Sequence, residues 1–267
     1  MKRQMLIIFF SLAYVAASAA ESDLLSSPSA SLRPANAPQE AEIGGIVGVV
    51  PGYFGAQKLS LVASPYVEAN FGNGAFVGAS GIGYRSPNYG SFSVAASLGA
   101  GRSRLESAGN ADTHNRLTGM GDVTPRAQAN LFANYDNGPY HAYVLLQREL
   151  GNRDGAEGQL VGMFDAVSTK TDLVQLYAGI DYANQAQMQT FFGVTASQSS
   201  TSGNAVYTPG AGVAGSSVGS IWRHAFSQHW VGTLEVGVIS LSGGAADSPL
   251  TARKTNGLAV VSSGYRF

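Results

Sequence analysis

The stretch "KLSLVASPYVEANF", residues 58–71, alternates with a period of two. Leu59, Leu61, Ala63, Val67 and Phe71 are apolar, and Lys58, Ser60, Ser64, Glu68 and Asn70 stand between them. Successive side chains of an extended chain point to opposite faces, so this pattern describes a strand with one apolar face. Three later stretches repeat it. "RAQANLFANYD" sets Ala127, Ala129, Leu131, Ala133 and Tyr135 against Arg126, Gln128, Asn130, Asn134 and Asp136. "DLVQLYAGIDY" places Val174, Leu176, Ala178, Ile180 and Tyr182 opposite Gln175 and Asp181. "HWVGTLEVGVI" sets Trp230, Leu234, Val236 and Val238 against Thr233 and Glu235.

Working outward, turn chemistry separates such runs. Asn73-Gly74 and Asn137-Gly138 supply the positive φ angles of tight hairpins. Runs between turn clusters lie near 43–52, 58–71, 75–84, 91–101, 124–136, 140–149, 158–168, 173–184, 187–196, 213–226, 229–241 and 256–267. The expected fold is therefore all-β, an antiparallel up-and-down transmembrane β-barrel of about 12 strands, with 10 or 14 as alternatives. A soluble sandwich has shorter strands. Here many runs exceed the ~9–11 residues that cross a bilayer, and their polar faces carry charge. Tyr53, Tyr84, Tyr135, Tyr140, Tyr182, Trp230 and Tyr265 stand near run ends, where aromatic rings meet a membrane interface.

Composition agrees. Only 12% of the 267 residues are charged, Gly numbers 34 and aromatics make up 10%. A mean hydropathy of +0.03 is too polar for a bundle of membrane helices. The balance of 16 basic and 17 acidic residues gives no nucleic-acid signal. The absence of cysteine excludes thiol catalysis, thiolate metal sites, disulfides and a lipid-bearing cysteine. At the N-terminus Lys2 and Arg3 precede an apolar run, and Ala17-Ser18-Ala19 gives a cleavage pattern. The expected organisation is a signal peptide over 1–19, a flexible segment over 20–41 and the barrel over 42–267. Tyr265 and the terminal Phe267 share one face of the last strand, with Arg266 on the other. This pair resembles the signal by which Gram-negative barrels reach the outer-membrane assembly machinery, so lipid and that machinery are the expected partners.

Longer motifs carry a family resemblance. "GVVPGYFGAQ" (residues 48–57) resembles the first hairpin of the MipA/OmpV family of outer-membrane proteins. "GAADSPL" (244–250) with Arg253 is similar to its last loop, "GYRF" to its terminus, and "LTGMGDV" (117–123) to its Gly-Asp segment. The resemblance implies a Gram-negative outer-membrane barrel, with a scaffold joining a lytic murein transglycosylase to a bifunctional penicillin-binding protein as the leading function. A small porin or adhesin is the alternative, and a lipid-modifying enzyme a minor one.

The residues themselves offer little chemistry. The glycines at 210, 212 and 215 match a dinucleotide fingerprint but lack a βαβ context. His114, His141, His224 and His229 show no metal-ligand spacing. No cofactor, metal or catalytic residue is expected. Alternation turns Lys58, Glu68, Arg126, Asp136, Glu149, Asp181 and Glu235 toward the lumen, where mixed charges either line a channel or pair and fill it. With Phe267 placed on the periplasmic side, counting strands backward puts 242–255 and 197–212 outside. It puts 184–187, 226–229 and 102–123 inside. The last segment, with Arg102, Arg104, Glu106, Asp112 and Arg116, becomes a candidate periplasmic contact.

Overall fold

Antiparallel pairing runs continuously around a closed ring in the computed structural model, which describes residues 40–267. The signal peptide and residues 20–39 of the flexible segment lie outside the described residues. The strands are β1 (Glu40–Pro51), β2 (Leu59–Asn70), β3 (Ala75–Gly78), β4 (Gly81–Arg85), β5 (Phe92–Ala100) and β6 (Ala127–Asn137), then β7 (Tyr140–Glu149), β8 (Ala156–Ser168), β9 (Asp172–Ala183), β10 (Gly212–Ala225), β11 (Trp230–Leu241) and β12 (Thr255–Arg266). Each pairs with its sequence neighbours, and β1 closes on β12 with Val47 opposite Val261. The expected twelve-stranded barrel is the fold. Glu40 and Ala41, assigned above to the flexible segment, already pair with Asn70 and Ala69.

The alternation read in the sequence is the wall's in–out pattern. Leu61, Leu131, Ile180, Val236 and Val261 are exposed on the outside, whereas Gln128, Asn130 and Asn134 are buried on the inside. At the end carrying Phe267 the strands join through short links, 71–74, 86–91, 138–139, 169–171 and 226–229. Aromatic rings pack there too, Tyr265 against Trp230 and Phe267, Phe92 against Tyr135, and Tyr140 against Phe164. The opposite end carries the connections 52–58, 101–126, 150–155, 184–211 and 242–254.

Two sequence assignments are corrected. The run 75–84 is two short strands, because the chain reverses at residues 79–80 with Gly81 at φ +96°. The run 187–196 is no strand, since Gln185–Phe192 forms helix α1. Asn184 caps α1 by accepting from the Gln187 N–H at 2.9 Å, and Met188, Phe191 and Phe192 recur at helical spacing on its buried face. One strand gained and one lost leave twelve. Every connection between them changes end, so 102–123 lies opposite Phe267 and not beside it.

Candidate functional site

Four connections interlock over the end opposite Phe267 and form a cap. In one apolar cluster α1 lays Met188, Phe191 and Phe192 against Val123, Leu241, Ala245 and Ala246. A second gathers Tyr53, Ala56, Leu117, Met120, Val194 and Leu250 from all four connections. Leu117 is fully buried, although its segment is polar overall. Helices α2 (Ala196–Ser202) and α3 (Gly243–Ala246) complete the cap.

Polar groups stitch these clusters together. Arg104, 4% exposed, donates to the Phe191 carbonyl at 2.6 Å, and Ser248 donates to the Phe192 carbonyl at 2.6 Å. Burial lowers the Arg104 guanidinium to about 10, so its charge is held at some cost. The Tyr53 hydroxyl reaches Asp112 and the Leu250 carbonyl, each at 3.2 Å. Burial, with the Asp112 carboxylate beside it, raises the Tyr53 phenol well above its ordinary range. Burial opposes ionisation of Asp112, but hydrogen bonds from Arg116, the His114 N–H and Tyr53 outweigh it and leave the carboxyl lowered. Glu106 accepts from the Gly119 and Gly121 N–H groups at 2.9 and 2.8 Å. Arg102 is latched to the inner wall, bonded to Glu157 and lying 4.9 Å from the Phe54 ring and 5.8 Å from that of Phe191.

Below the cap, side chains pair along the inner wall. Asp181 accepts from Gln159 at 2.8 Å and Glu235 from Tyr177 at 2.8 Å. A Cβ on Gly219 or Gly237 would stand 2.5 Å from the Tyr177 hydroxyl, so the missing side chains let that phenol lie along the wall. Nearer Phe267, Glu42 bonds Tyr66 at 2.5 Å, Arg223 at 2.7 Å and Arg266 at 3.3 Å, and Arg266 also pairs with Glu40 at 2.7 Å. His141 bridges Asp136 at 2.7 Å and Asp165 at 3.2 Å.

The expected lumen charges divide. Glu68, Glu149, Asp181 and Glu235 stand on inward positions of β2, β7, β9 and β11. Arg126 sits at the capped rim, and Asp136 is exposed at the other rim. Lys58 is exposed in a connection outside any strand. Arg102, Arg104, Glu106, Asp112 and Arg116 are brought together, but inside the cap. The lumen charges named from the sequence omit Glu42 and Arg223, and Arg266, expected opposite the terminal aromatics, joins them on the inner wall. Among the described residues no His, Cys, Asp and Glu group could hold a metal ion.

An apolar exterior, a polar paired interior and short links at the end with the C-terminal aromatic define an outer-membrane-type β-barrel. The chain belongs to the MltA-interacting protein MipA family, whose model matches residues 43–267. No curated protein matches it. Solved structures similar to it include a Pseudomonas aeruginosa FadL homologue, 7% identical over 89% of this chain and 94% of that one, with a TM-score of 0.43. In vitro folded OmpT, an outer membrane protein of Vibrio cholerae, is 11% identical over 84% of this chain and 76% of that one, with a TM-score of 0.34.

Proposed function

We propose that the chain is a Gram-negative outer-membrane barrel with Phe267 toward the periplasm. In this reading it is a non-enzymatic interaction protein that holds a lytic murein transglycosylase and a bifunctional penicillin-binding protein near the membrane. The observation that carries the reading is closure. The cap covers one end, and the Glu42, Arg223 and Arg266 pairs cross the inner wall at the other. A protein closed in this way is better suited to presenting surface than to conducting solutes. The family's description, which names an interaction with MltA, favours the same partner class.

Periplasmic contact then falls to the short links and to residues 20–39, because 102–123 belongs to the far end. Export by cleavage after Ala19 and delivery through Tyr265 and Phe267 complete the proposal. Crosslinked pull-down from intact envelopes tests it. Wild type should retain murein synthases and hydrolases, and a variant lacking residues 20–39 should retain fewer. Their absence from the wild-type capture would move the porin or adhesin reading to the front.

A further inference from the structure

The ring closes, but its wall is not complete on the capped half. β2 pairs with β1 along its whole length, from Leu59 opposite Pro51 to Asn70 opposite Glu40. On its other edge it meets β3 only at Ala69↔Val77 and Asn70↔Phe76. The β3–β4 hairpin turns back at residues 79–80. Among the described residues no strand pairs with this edge over 59–68.

The backbone shows which groups are left. Phe71 N–H donates to the Ala75 carbonyl at 2.9 Å, so odd-numbered residues of β2 direct N–H and C=O toward β3. Leu59, Leu61, Ala63, Pro65 and Val67 therefore face the gap. Pro65 has no N–H to offer, and its carbonyl accepts from the Ser64 hydroxyl at 3.0 Å. Proline on an edge blocks addition of another strand, so the sequence keeps this edge from pairing. Bare backbone at membrane depth is tolerated where it borders a water-filled cavity. Ser64, on the inward face by alternation, is exposed beside this edge.

We propose that this gap is a lateral portal through which the acyl chain of a surrounding membrane lipid reaches the lumen. The outer rim of the portal is apolar, with Leu61 74% and Val67 54% exposed. Inward, Val62 is buried with Val50, Leu258 and Val260 as the apolar backing of this edge, while Ser60 and Ser64 place hydroxyls beside it for a headgroup. An apolar rim and a pair of hydroxyls thus lie on the two faces of one edge.

The inference rests on the membrane reading above, and the absence of cysteine makes a two-position test simple. Ser64→Cys and Ile180→Cys, each bimane-labelled, are placed in phosphatidylcholine vesicles with brominated acyl chains, and iodide is added to the water. Ile180, exposed on a fully paired part of the wall, should lose emission to bromine alone. The Ser64 label should lose emission to both quenchers. If bromine spares Ile180, the membrane reading itself fails. If Ile180 responds but Ser64 answers to one quencher or neither, the portal is overturned, as it is if Leu61→Cys crosslinks two copies through this edge. Should Ser64→Cys not fold, as read by heat-modifiable migration, Ser60→Cys on the same edge takes its place with the same outcomes.

Discussion

The two ends of this barrel are closed by different physics. At the Phe267 end the links are short and the inner wall is crossed by charged pairs, with Glu42 at the centre. At the other end long connections bury Leu117, Leu250 and the aromatic face of α1. Hydrophobic closure scales with apolar area and needs long chain segments to supply it. Ionic closure needs only a few inward positions on strands that already exist. The cap is therefore separable from the barrel, whereas the charged lattice is part of the wall.

The harshest way to break this comparison is to remove residues 106–118. The deletion takes Asp112 and Leu117 from the cap but no residue from any strand. The barrel should keep its heat-modifiable migration, while the remaining cap connections, 184–211 and 242–254, should be cut faster by protease. Loss of the barrel itself would mean that the cap is not separable. Leu117→Ala is the milder form. Emptying a fully buried leucine costs about 2–5 kcal/mol, and the loss should appear as faster proteolysis within 101–126 and unchanged urea unfolding of the barrel.

The converse change lies at the other end. Arg223→Met removes the 2.7 Å partner of Glu42 and leaves Tyr66 and Arg266 in place. Losing one hydrogen bond to a charged group costs about 1.5–3 kcal/mol. Here the barrel's urea midpoint should fall while cap proteolysis stays at the wild-type rate. A variant that shifted both equally would show the two closures to be coupled.

The barrel was legible because alternation is a repeated, local signal, and β2, β6, β9 and β11 each carry it through their length. The cap was not legible. In "AFVGASGIGY" the outward face passes from Val77 to Ile82, from an odd to an even position, and this break in the alternation, with Gly81 at positive φ, marks the reversal. Residues 187–196 contain enough apolar side chains to pass for a strand. Yet Asn184 before the run and the spacing of Met188, Phe191 and Phe192 were helix signals present in the sequence. These two errors cancel in the strand count and not in the side assignment. That is why Arg104 and Asp112, buried in the cap opposite Phe267, were expected at the same end as Phe267. Whether a charge in a long connection is buried depends on which other connections meet it, and no local pattern encodes that.

The smallest expected effect isolates one charge within the cap. Asp112 is 5% exposed, and its carboxyl is lowered although burial alone would raise it. A carboxyl lowered by folding stabilises the folded state above its unfolded value, about 4. That contribution fades as pH falls through this value and is gone below the folded one. Acid should therefore loosen the cap before the barrel, because the same protonation removes the acceptor of Arg116 and Tyr53 together. Brief pepsin digestion at about pH 4 and about pH 2 should show nicking within 101–126 appear only at the lower value, with barrel migration retained. Asp112→Asn, which cannot lose a charge on acidification, should be nicked more at the higher value and change less between the two. If that variant kept the full wild-type difference, the acid response would belong to another carboxylate, with Glu106, bound to Gly119 and Gly121, the next to replace.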